Sequence, residues 1–354
     1  MTVCFRKKLS RAFTLELDFK TADGCLGILG PSGSGKSMTL KCIAGIETPD
    51  EGHIAVDGRT LYDSAGRINL RPQERRVGYL FQNYALFPNM TVMENILSPP
   101  RAGKGGRPEA AKWIERFGLG GMENRYPRQL SGGQQQRTAL ARMLISAPDA
   151  ALFDEPFSAL DSTLREYMEV QLQELLRGAG GAGGVFRNAI LVTHNRDEAY
   201  RLCPQLAVMS GGGIIVRGGT DDVFRNPRFV EAARLTGCKN ISPVRRLSEN
   251  EVFALDWELP LRLAGSSEGV THIGIRAHDF VPVSANAPPG LNEVRIAVSR
   301  LSSEPFEEAV LFTNADAARA AELKEIWWKY SKYLKQGLPE RLFLPPEVLL
   351  PLRD

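Results

Sequence analysis

Residues 30–37, Gly-Pro-Ser-Gly-Ser-Gly-Lys-Ser, carry the strongest chemical signal in the sequence. The apolar residues 25–29 before them predict a strand, and residues 38–46 after them favour a helix. Strand, glycine-rich loop and helix, in that order, can hold a nucleoside triphosphate by its phosphates. Glycines let consecutive backbone N–H groups face an anion, and the helix N-terminus adds partial positive charge. The alternative is a glycine turn that caps an ordinary helix.

Two side chains of this segment could contact the phosphates and a metal ion at such a site. Lys36 can reach the β- and γ-phosphates of a bound nucleotide, and the hydroxyl of Ser37 can ligate Mg²⁺. The residues predicted to bind nucleotide here are Gly30, Pro31, Ser32, Gly33, Ser34, Gly35, Lys36, Ser37 and Met38.

A pair of carboxylates follows another apolar run, residues 150–153. Asp154 is placed where a carboxylate can hold Mg²⁺ directly or through water. Glu155 comes next and can orient and deprotonate an attacking water molecule. The alternative for both residues is a surface turn before Pro156. Beside a phosphate-binding loop, the pair indicates hydrolysis of a triphosphate.

Strand-like and helix-like segments alternate up to about residue 235, which is typical of an α/β fold with a parallel sheet. The predicted strands are residues 1–20, 25–29, 53–56, 77–81, 150–153, 189–193 and 205–209. Helical periodicity is clearest in residues 134–145 and 164–176. The glycine-rich residues 178–184 predict a flexible loop.

The pattern changes near residue 237 to short β-leaning segments separated by proline and glycine, which predict a small barrel or sandwich. These segments are residues 252–257, 272–275, 293–298 and 309–312. Residues 322–334 fit either a helix or a strand. A chain of 354 residues is long enough for two domains, and we place them at residues 1–236 and 237–354.

Composition excludes several classes of protein. The net charge of +3 is too small to indicate nucleic-acid binding. No apolar run is long enough to span a bilayer, and the basic start is not followed by a signal-peptide core, so we expect a cytoplasmic chain. The five cysteines are scattered without metal-ligand spacing, so we expect each of them to act as a small buried hydrophobic residue.

Four further segments follow in a set order: Phe-Gln at 81–82, Leu-Ser-Gly-Gly-Gln at 130–134, Phe-Asp-Glu-Pro at 153–156 and Thr-His at 193–194. Together with residues 30–37, they strongly resemble the ATP-binding cassette (ABC) ATPases over about residues 1–235. The resemblance implies a P-loop NTPase fold, an ABC nucleotide-binding domain with a helical subdomain. A small β-rich C-terminal domain, of oligomer-binding (OB, or TOBE-like) type, would follow it.

The resemblance also implies roles for single residues. Gln82 would contact metal or water, and His194 would hydrogen-bond the γ-phosphate and Glu155. An aromatic residue near the N-terminus would stack on the base; Phe13 is the candidate, with a core strand residue as the alternative. A second anion-binding helix start would close over the ATP held by a second copy of the chain, so that two ATPs are sandwiched in a head-to-tail dimer. That start comprises Ser131, Gly132, Gly133 and Gln134.

The seam of that dimer would include residues 158–161, Ser-Ala-Leu-Asp, with an Asp cap of the following helix as the alternative. Residues 82–95 resemble the region of the family that receives a permease's coupling helix. The partners implied are therefore a second copy, integral-membrane permease subunits and, indirectly, a solute-binding protein, but no nucleic acid. The chain would lie at the cytoplasmic face of the membrane.

Residues 69–82 and 87–92 resemble the importer branch that handles molybdate, tungstate or sulfate. Residues 236–240, Thr-Gly-Cys-Lys-Asn, resemble its molybdate and tungstate members most. We therefore expect an ATPase that energises uptake of an oxyanion, molybdate or tungstate first. The alternatives are sulfate, iron or polyamine uptake, an oxyanion-sensing role for the C-terminal domain, and a soluble ABC ATPase outside transport.

Overall fold

The computed structural model describes residues 1–21, 24–100, 106–158, 160–177, 186–284, 290–318, 323–333 and 337–354. It divides into two compact units, Met1–Thr220 and Asp221–Asp354. The border expected from the sequence lies later, after residue 236. The predicted loop at residues 178–184 lies outside the described residues, as does Ala159 of the predicted dimer seam.

The first unit begins with a five-stranded antiparallel sheet in the order β2-β1-β4-β5-β6. Its strands are β1 (Thr2–Lys8), β2 (Thr14–Lys20), β4 (Glu51–Val56), β5 (Arg59–Asp63) and β6 (Ile68–Asn69). The prediction of one strand over residues 1–20 is wrong, because residues 9–12 form a turn and β2 folds back on β1. Both strands bury alternate residues, so the alternation in the sequence runs through the turn.

A six-stranded sheet in the order β11-β10-β3-β9-β8-β7 forms the centre of this unit. Its strands are β3 (Gly24–Leu29), β7 (Val77–Leu80), β8 (Ala150–Asp154), β9 (Asn188–Thr193), β10 (Gln205–Ser210) and β11 (Gly213–Gly219). All neighbouring pairs from β10 to β7 are parallel, as predicted. The carboxyl ends of these strands therefore meet at one edge of the sheet, where ligands bind in open α/β sheets.

Helices cover the sheet and build a subdomain in which α3, α4 and α5 contact one another. The helices of the chain are α1 (Lys36–Ala44), α2 (Pro72–Arg75), α3 (Val92–Leu97), α4 (Gly106–Arg116), α5 (Gly132–Leu144), α6 (Ser162–Arg177), α7 (Arg196–Leu202), α8 (Thr220–Arg225) and α9 (Val230–Leu235). No helix within the described residues combines the length and apolar character needed to cross a membrane.

A buried arginine fixes the end of α1, the helix that follows the glycine-rich loop. Arg75 is 1% exposed, and its Nη1 donates to the carbonyls of Cys42 at 2.8 Å and Ile43 at 2.9 Å. These are carbonyls that the end of a helix leaves unpaired. Gly45 follows with φ 79°, and a Cβ there would lie 2.4 Å from Arg75 Nε. The position therefore requires glycine for conformation and for space.

The second unit contains two five-stranded sheets, ordered β14-β13-β12-β15-β21 and β16-β20-β17-β18-β19. Its strands are β12 (Asn240–Arg246), β13 (Glu251–Ala254), β14 (Leu259–Arg262), β15 (His272–Ile275), β16 (Val281–Pro282), β17 (Glu293–Ser303), β18 (Glu307–Asn314), β19 (Ile326–Ser331), β20 (Arg341–Phe343) and β21 (Leu350–Leu352). Trp257, Phe312 and Trp328 belong to one core that both sheets share. This confirms the predicted small β-rich domain, and β19 shows that residues 326–331 of the segment predicted as either helix or strand form a strand.

Four cysteines are buried, as predicted, whereas Cys4 is exposed. Cys4 lies on β1, where alternate side chains face away from the core. The prediction for this residue is therefore wrong because strand alternation, and not residue type, decides which face it occupies.

Candidate nucleotide-binding site

The glycine-rich loop lies between the carboxyl end of β3 and the first turn of α1, as the sequence predicts. Gly30 packs so closely against β10 that a Cβ would lie 2.4 Å from the carbonyl oxygen of Met209. Gly35 caps α1 with φ 103°, a conformation that side chains with a Cβ rarely adopt. The loop therefore depends on glycine at both ends.

Lys36 lies along this loop and is 5% exposed. Its Nζ donates to the carbonyls of Gly30 and Pro31, both at 2.8 Å. Burial lowers the pKa of the ammonium group, while the charges of Glu155 and Asp154 raise it. A phosphate oxygen is a stronger acceptor for this cation than a neutral carbonyl.

The hydroxyl of Ser34 also fits an anion-binding loop. Ser34 is 3% exposed, and its Oγ has no hydrogen-bond partner among the described residues. A buried hydroxyl without a partner is costly in a folded protein. A bound phosphate would supply the missing acceptor, so the residues of the loop fit a triphosphate.

Asp154 ends β8 and is held through both carboxylate oxygens. Ser37 Oγ donates to Oδ1 at 2.7 Å, and the hydroxyl of Tyr79 donates to Oδ2 at 2.8 Å. Hydroxyl and carboxylate oxygens are ligands that Mg²⁺ binds in proteins, where it usually keeps several water ligands as well. The donors present therefore fit Mg²⁺, and Tyr79 is a contact that the sequence did not indicate.

Glu155 brings the three predicted catalytic side chains together. His194 Nδ1 lies 3.2 Å from Glu155 Oε1, and Gln82 Nε2 donates to Glu155 Oε2 at 3.3 Å. Glu155 has φ 45°, which is unusual for a residue with a Cβ, and its N–H donates to Val192 O at 3.0 Å. Strained backbone of this kind persists where surrounding contacts fix it, often at functional sites.

The second predicted anion-binding segment starts α5. Ser131 and Gly132 are exposed. Ser131 Oγ accepts from Gln134 N at 3.4 Å, and Gln134 Oε1 accepts from Ser131 N at 2.9 Å, which is a capping box. Gly133 is buried, and a Cβ there would lie 2.4 Å from Leu164 Cδ2. Within the described residues, no hydrogen bond or ion pair joins this helix start to the glycine-rich loop.

Phe13 lies beside the glycine-rich loop, in the turn before β2. A Cβ on Gly35 would lie 3.8 Å from Phe13 Cε1, and one on Gly212 would lie 3.4 Å from Phe13 Cζ. The ring is half-buried and does not belong to a strand. An aromatic face at this point can stack on a planar base.

Comparisons with known proteins agree with this geometry. The model of the ABC transporter family matches residues 15–158. The sulfate/thiosulfate import ATP-binding protein of Chromobacterium violaceum is 36% identical over 284 residues, 78% of this chain and 72% of that protein. The Fe(3+) ions import ATP-binding protein of Brucella abortus is 36% identical over 282 residues, 78% and 72% of the two chains.

A third relative, the spermidine/putrescine import ATP-binding protein of Acidothermus cellulolyticus, is 36% identical over 287 residues, 78% of this chain and 67% of that protein. The dimeric ATP-binding cassette MJ0796, solved in a post-hydrolysis state with ADP and Pi, matches with a TM-score of 0.50 and 27% identity. The match covers 62% of this chain and 96% of the cassette. The chain therefore belongs to the ABC transporter family as one of its ATP-binding proteins, and its first unit has the P-loop fold of an ATPase.

Proposed function

We propose that this chain is the ATP-hydrolysing subunit of an ABC importer. The observation that carries the proposal is the contact of Glu155 with both Gln82 and His194, next to the bonded pair Ser37 and Asp154. These groups lie where parallel strands end, beside a loop with the features of a phosphate site. The relatives support import, because their names describe import ATP-binding proteins.

Residues 30–38 would bind the triphosphate, with Lys36 as the cation and the ring of Phe13 against the base. Ser37, Asp154 and the amide oxygen of Gln82 would hold Mg²⁺. When bound, the metal neutralises phosphate charge. Lys36 already supplies a buried cation at the loop. Ser34 supplies a buried hydroxyl that has no hydrogen-bond partner among the described residues.

Hydrolysis would proceed by in-line attack of water on the γ-phosphate. Glu155 would orient the water and accept its proton, while His194 would donate to a γ-phosphate oxygen and hold Glu155. In the structure His194 Nδ1 is already 3.2 Å from Glu155 Oε1. Most of the rate enhancement then comes from positioning and from electrostatics.

A second copy of the chain would complete the site with Ser131, Gly132, Gly133 and Gln134. The exposure of Ser131 and Gly132 supports this, because a second chain can reach them. The solved cassettes with the same fold are dimeric. The arrangement would be head-to-tail, with two-fold symmetry and one ATP at each interface.

Residues 82–95 would receive the permease. Phe87 is 48% exposed, and Met90 is 36% exposed. Behind them, buried Asn95 donates to Phe87 O at 3.1 Å and accepts from Phe87 N at 2.8 Å, so the exposed loop has a fixed shape. A groove of about 510 Å³ is lined by Pro88, Asn89, Tyr126 and Arg128. A permease helix bound here would hold the chain at the cytoplasmic face of the membrane.

The transported solute would be an oxyanion, with molybdate or tungstate first and sulfate next. Residues 236–240 suggest molybdate, while the relative from Chromobacterium violaceum is named for sulfate/thiosulfate. In the structure that segment has structural contacts: Cys238 is buried, and Asn240 donates to Trp327 O at 2.8 Å and accepts from its N–H at 2.7 Å. The resemblance of this segment to molybdate members is therefore evidence of family membership only. We do not propose it as a binding site for the solute.

The test is transport in vesicles that contain this chain, its permease and a loaded solute-binding protein. We expect ATP-dependent uptake of labelled molybdate, abolished by Glu155→Gln. Uptake of sulfate, Fe³⁺ or spermidine instead would correct the solute, and ATP hydrolysis that never responds to a permease would overturn the importer function.

The oxyanion-sensing alternative for the second unit stays a prediction. A cavity of about 380 Å³ in this unit is lined by Trp328 and Tyr330 together with Pro282, Val283, Ser284, Gly337 and Pro339. These described lining residues are aromatic, apolar or small, and they include no cation. Calorimetry of the full chain with molybdate, tungstate and sulfate tests the alternative, and no heat with any of them would remove it.

A further inference from the structure

A buried carboxylate accepts hydrogen bonds from the side chains on both sides of His194. Glu198 lies in the first turn of α7 and is 4% exposed. Its Oε2 accepts from Thr193 Oγ1 at 2.6 Å, and its Oε1 accepts from Asn195 Nδ2 at 3.2 Å. Thr193 and Asn195 are the two neighbours of His194, so one side chain holds both ends of the turn that presents the imidazole.

Further hydrogen bonds close this turn. Asn195 N donates to Thr193 Oγ1 at 2.9 Å. Asn195 Oδ1 also caps α7 by accepting from the N–H groups of Asp197 at 2.9 Å and Glu198 at 3.4 Å. The side chain of His194, by contrast, is 58% exposed and lies 3.2 Å from Glu155. Its position is therefore set by the backbone turn and not by packing around the ring.

The carboxylate of Glu198 also faces α6. Arg165 Nε lies 4.0 Å from Glu198 Oε1, and Arg165 Nη2 donates to Leu160 O at 3.3 Å. Leu160 belongs to the turn before α6, in the predicted dimer seam. Burial raises the pKa of Glu198, and the charge of Glu169 raises it further, while Thr193, Arg165 and His194 lower it. The buried carboxylate of Glu198 is thus part of a network of polar and charged groups. Loss of one hydrogen-bond partner in such a network is costly.

We propose that Glu198 is a positioning residue for ATP hydrolysis, which holds the His194 turn at the distance from Glu155 that the reaction needs. Through Arg165 the same carboxylate connects that turn with the seam before α6. Glu198 itself touches no reacting group. The inference rests on the proposed role of His194, and it adds a residue that the motifs of the sequence do not include.

The test is the steady-state kinetics of Glu198→Ala. We expect kcat to fall about 30-fold, because small displacements of a catalytic group can cost up to about 100-fold in rate. The KM for ATP stays within about twofold, because the loop that binds the phosphates is not touched. Glu198→Gln keeps groups that can hydrogen-bond Thr193 and Asn195, so it recovers most of the lost rate.

Glu169→Gln is the matched control. Glu169 is also buried, at 5% exposed, and its Oε2 pairs with Arg201 Nη2 at 2.6 Å between α6 and α7. The substitution disturbs the same pair of helices without altering a hydrogen bond to Thr193 or Asn195. We expect a lower melting temperature and an unchanged kcat below that temperature.

A double-mutant cycle with Thr193→Val sharpens the test. If Glu198 acts through this hydroxyl, the double variant loses no more rate than Glu198→Ala alone. Equal kcat losses in Glu198→Ala and Glu169→Gln, or a wild-type kcat in Glu198→Ala, would overturn the inference. His194→Ala separates the two proposals: if it abolishes turnover while Glu198→Ala keeps the wild-type kcat, only the positioning role of Glu198 fails.

Discussion

The two predicted anion-binding regions of the first unit differ in how the chain supports them. At the glycine-rich loop, Lys36 and Asp154 are buried, and each has hydrogen-bond partners within the unit. At the start of α5, Ser131 is exposed, and among the described residues its hydroxyl and its N–H bond within its own capping box. The first region is assembled by one chain, whereas the second presents its groups outwards. This difference is the one that the proposed dimer requires, in which the nucleotide held by a second chain would bind at the start of α5.

The largest expected effect is on the first region. Glu155→Gln removes the group proposed to accept the proton of water, so turnover falls about 1,000-fold, within the range for a general base. Binding of ATP is unchanged, because the loop that holds the phosphates is intact. Phosphate release and binding of a fluorescent ATP analogue measure the two quantities. Glu174→Gln, an exposed residue of α6, is the control, and a Glu155→Gln variant with wild-type turnover would contradict the role.

Removal of the buried cation comes next. Lys36→Ala deletes a charged hydrogen-bond donor, so affinity for ATP falls about 30-fold. Lys41→Ala, on the same helix and only partly buried, leaves the affinity unchanged. Equilibrium titration with ATP gives both values. Equal losses in the two variants would show that charge near α1, and not the position of Lys36 in the loop, determines binding.

The second region gives a smaller effect of a different kind. Ser131→Ala removes one hydroxyl from the proposed contact with the partner's nucleotide, so turnover falls about tenfold. Affinity of the isolated chain for ATP stays the same, because Ser131 does not contact its own loop. Ser131→Thr retains the hydroxyl and most of the activity. Weaker ATP binding by the dilute, monomeric Ser131→Ala chain would place this residue in the first region instead.

The smallest effect concerns the base. Phe13→Ala removes an aromatic face next to the loop, and affinity for ATP falls about fivefold, the scale of one aromatic stacking contact. Inorganic triphosphate lacks a base, so its binding does not change. Competition titrations with both ligands measure the difference. A parallel loss for both ligands would mean that Phe13 supports the shape of the loop and does not bind the base.

Much of the first region could be predicted because each of its groups follows a parallel strand. Such strands end at one edge, so the sequence order of Ser37, Gln82, Glu155 and His194 already implies their proximity. The contacts of Gln82 and His194 with Glu155 agree with that expectation. The pairing of Ser37 with Asp154 follows from the same arrangement.

The supporting contacts could not be predicted in the same way. The hydroxyl of Tyr79, the carboxylate of Glu198 and the guanidinium of Arg75 act through partners that are distant in sequence or decided by burial. A sequence shows that a polar residue is present but not that it is buried. One signal was available: Asn195 followed by Glu198 has the spacing of a capping box at a helix start.

The most direct measurement is the molecular mass of Glu155→Gln in solution with Mg-ATP, followed by light scattering. A site shared between two chains predicts that the mass doubles when ATP is added and returns when ATP is removed. In the same background, Ser131→Arg blocks the helix start and keeps the mass at that of one chain. A mass that never changes with ATP, or that doubles equally with Ser131→Arg, would contradict the shared site.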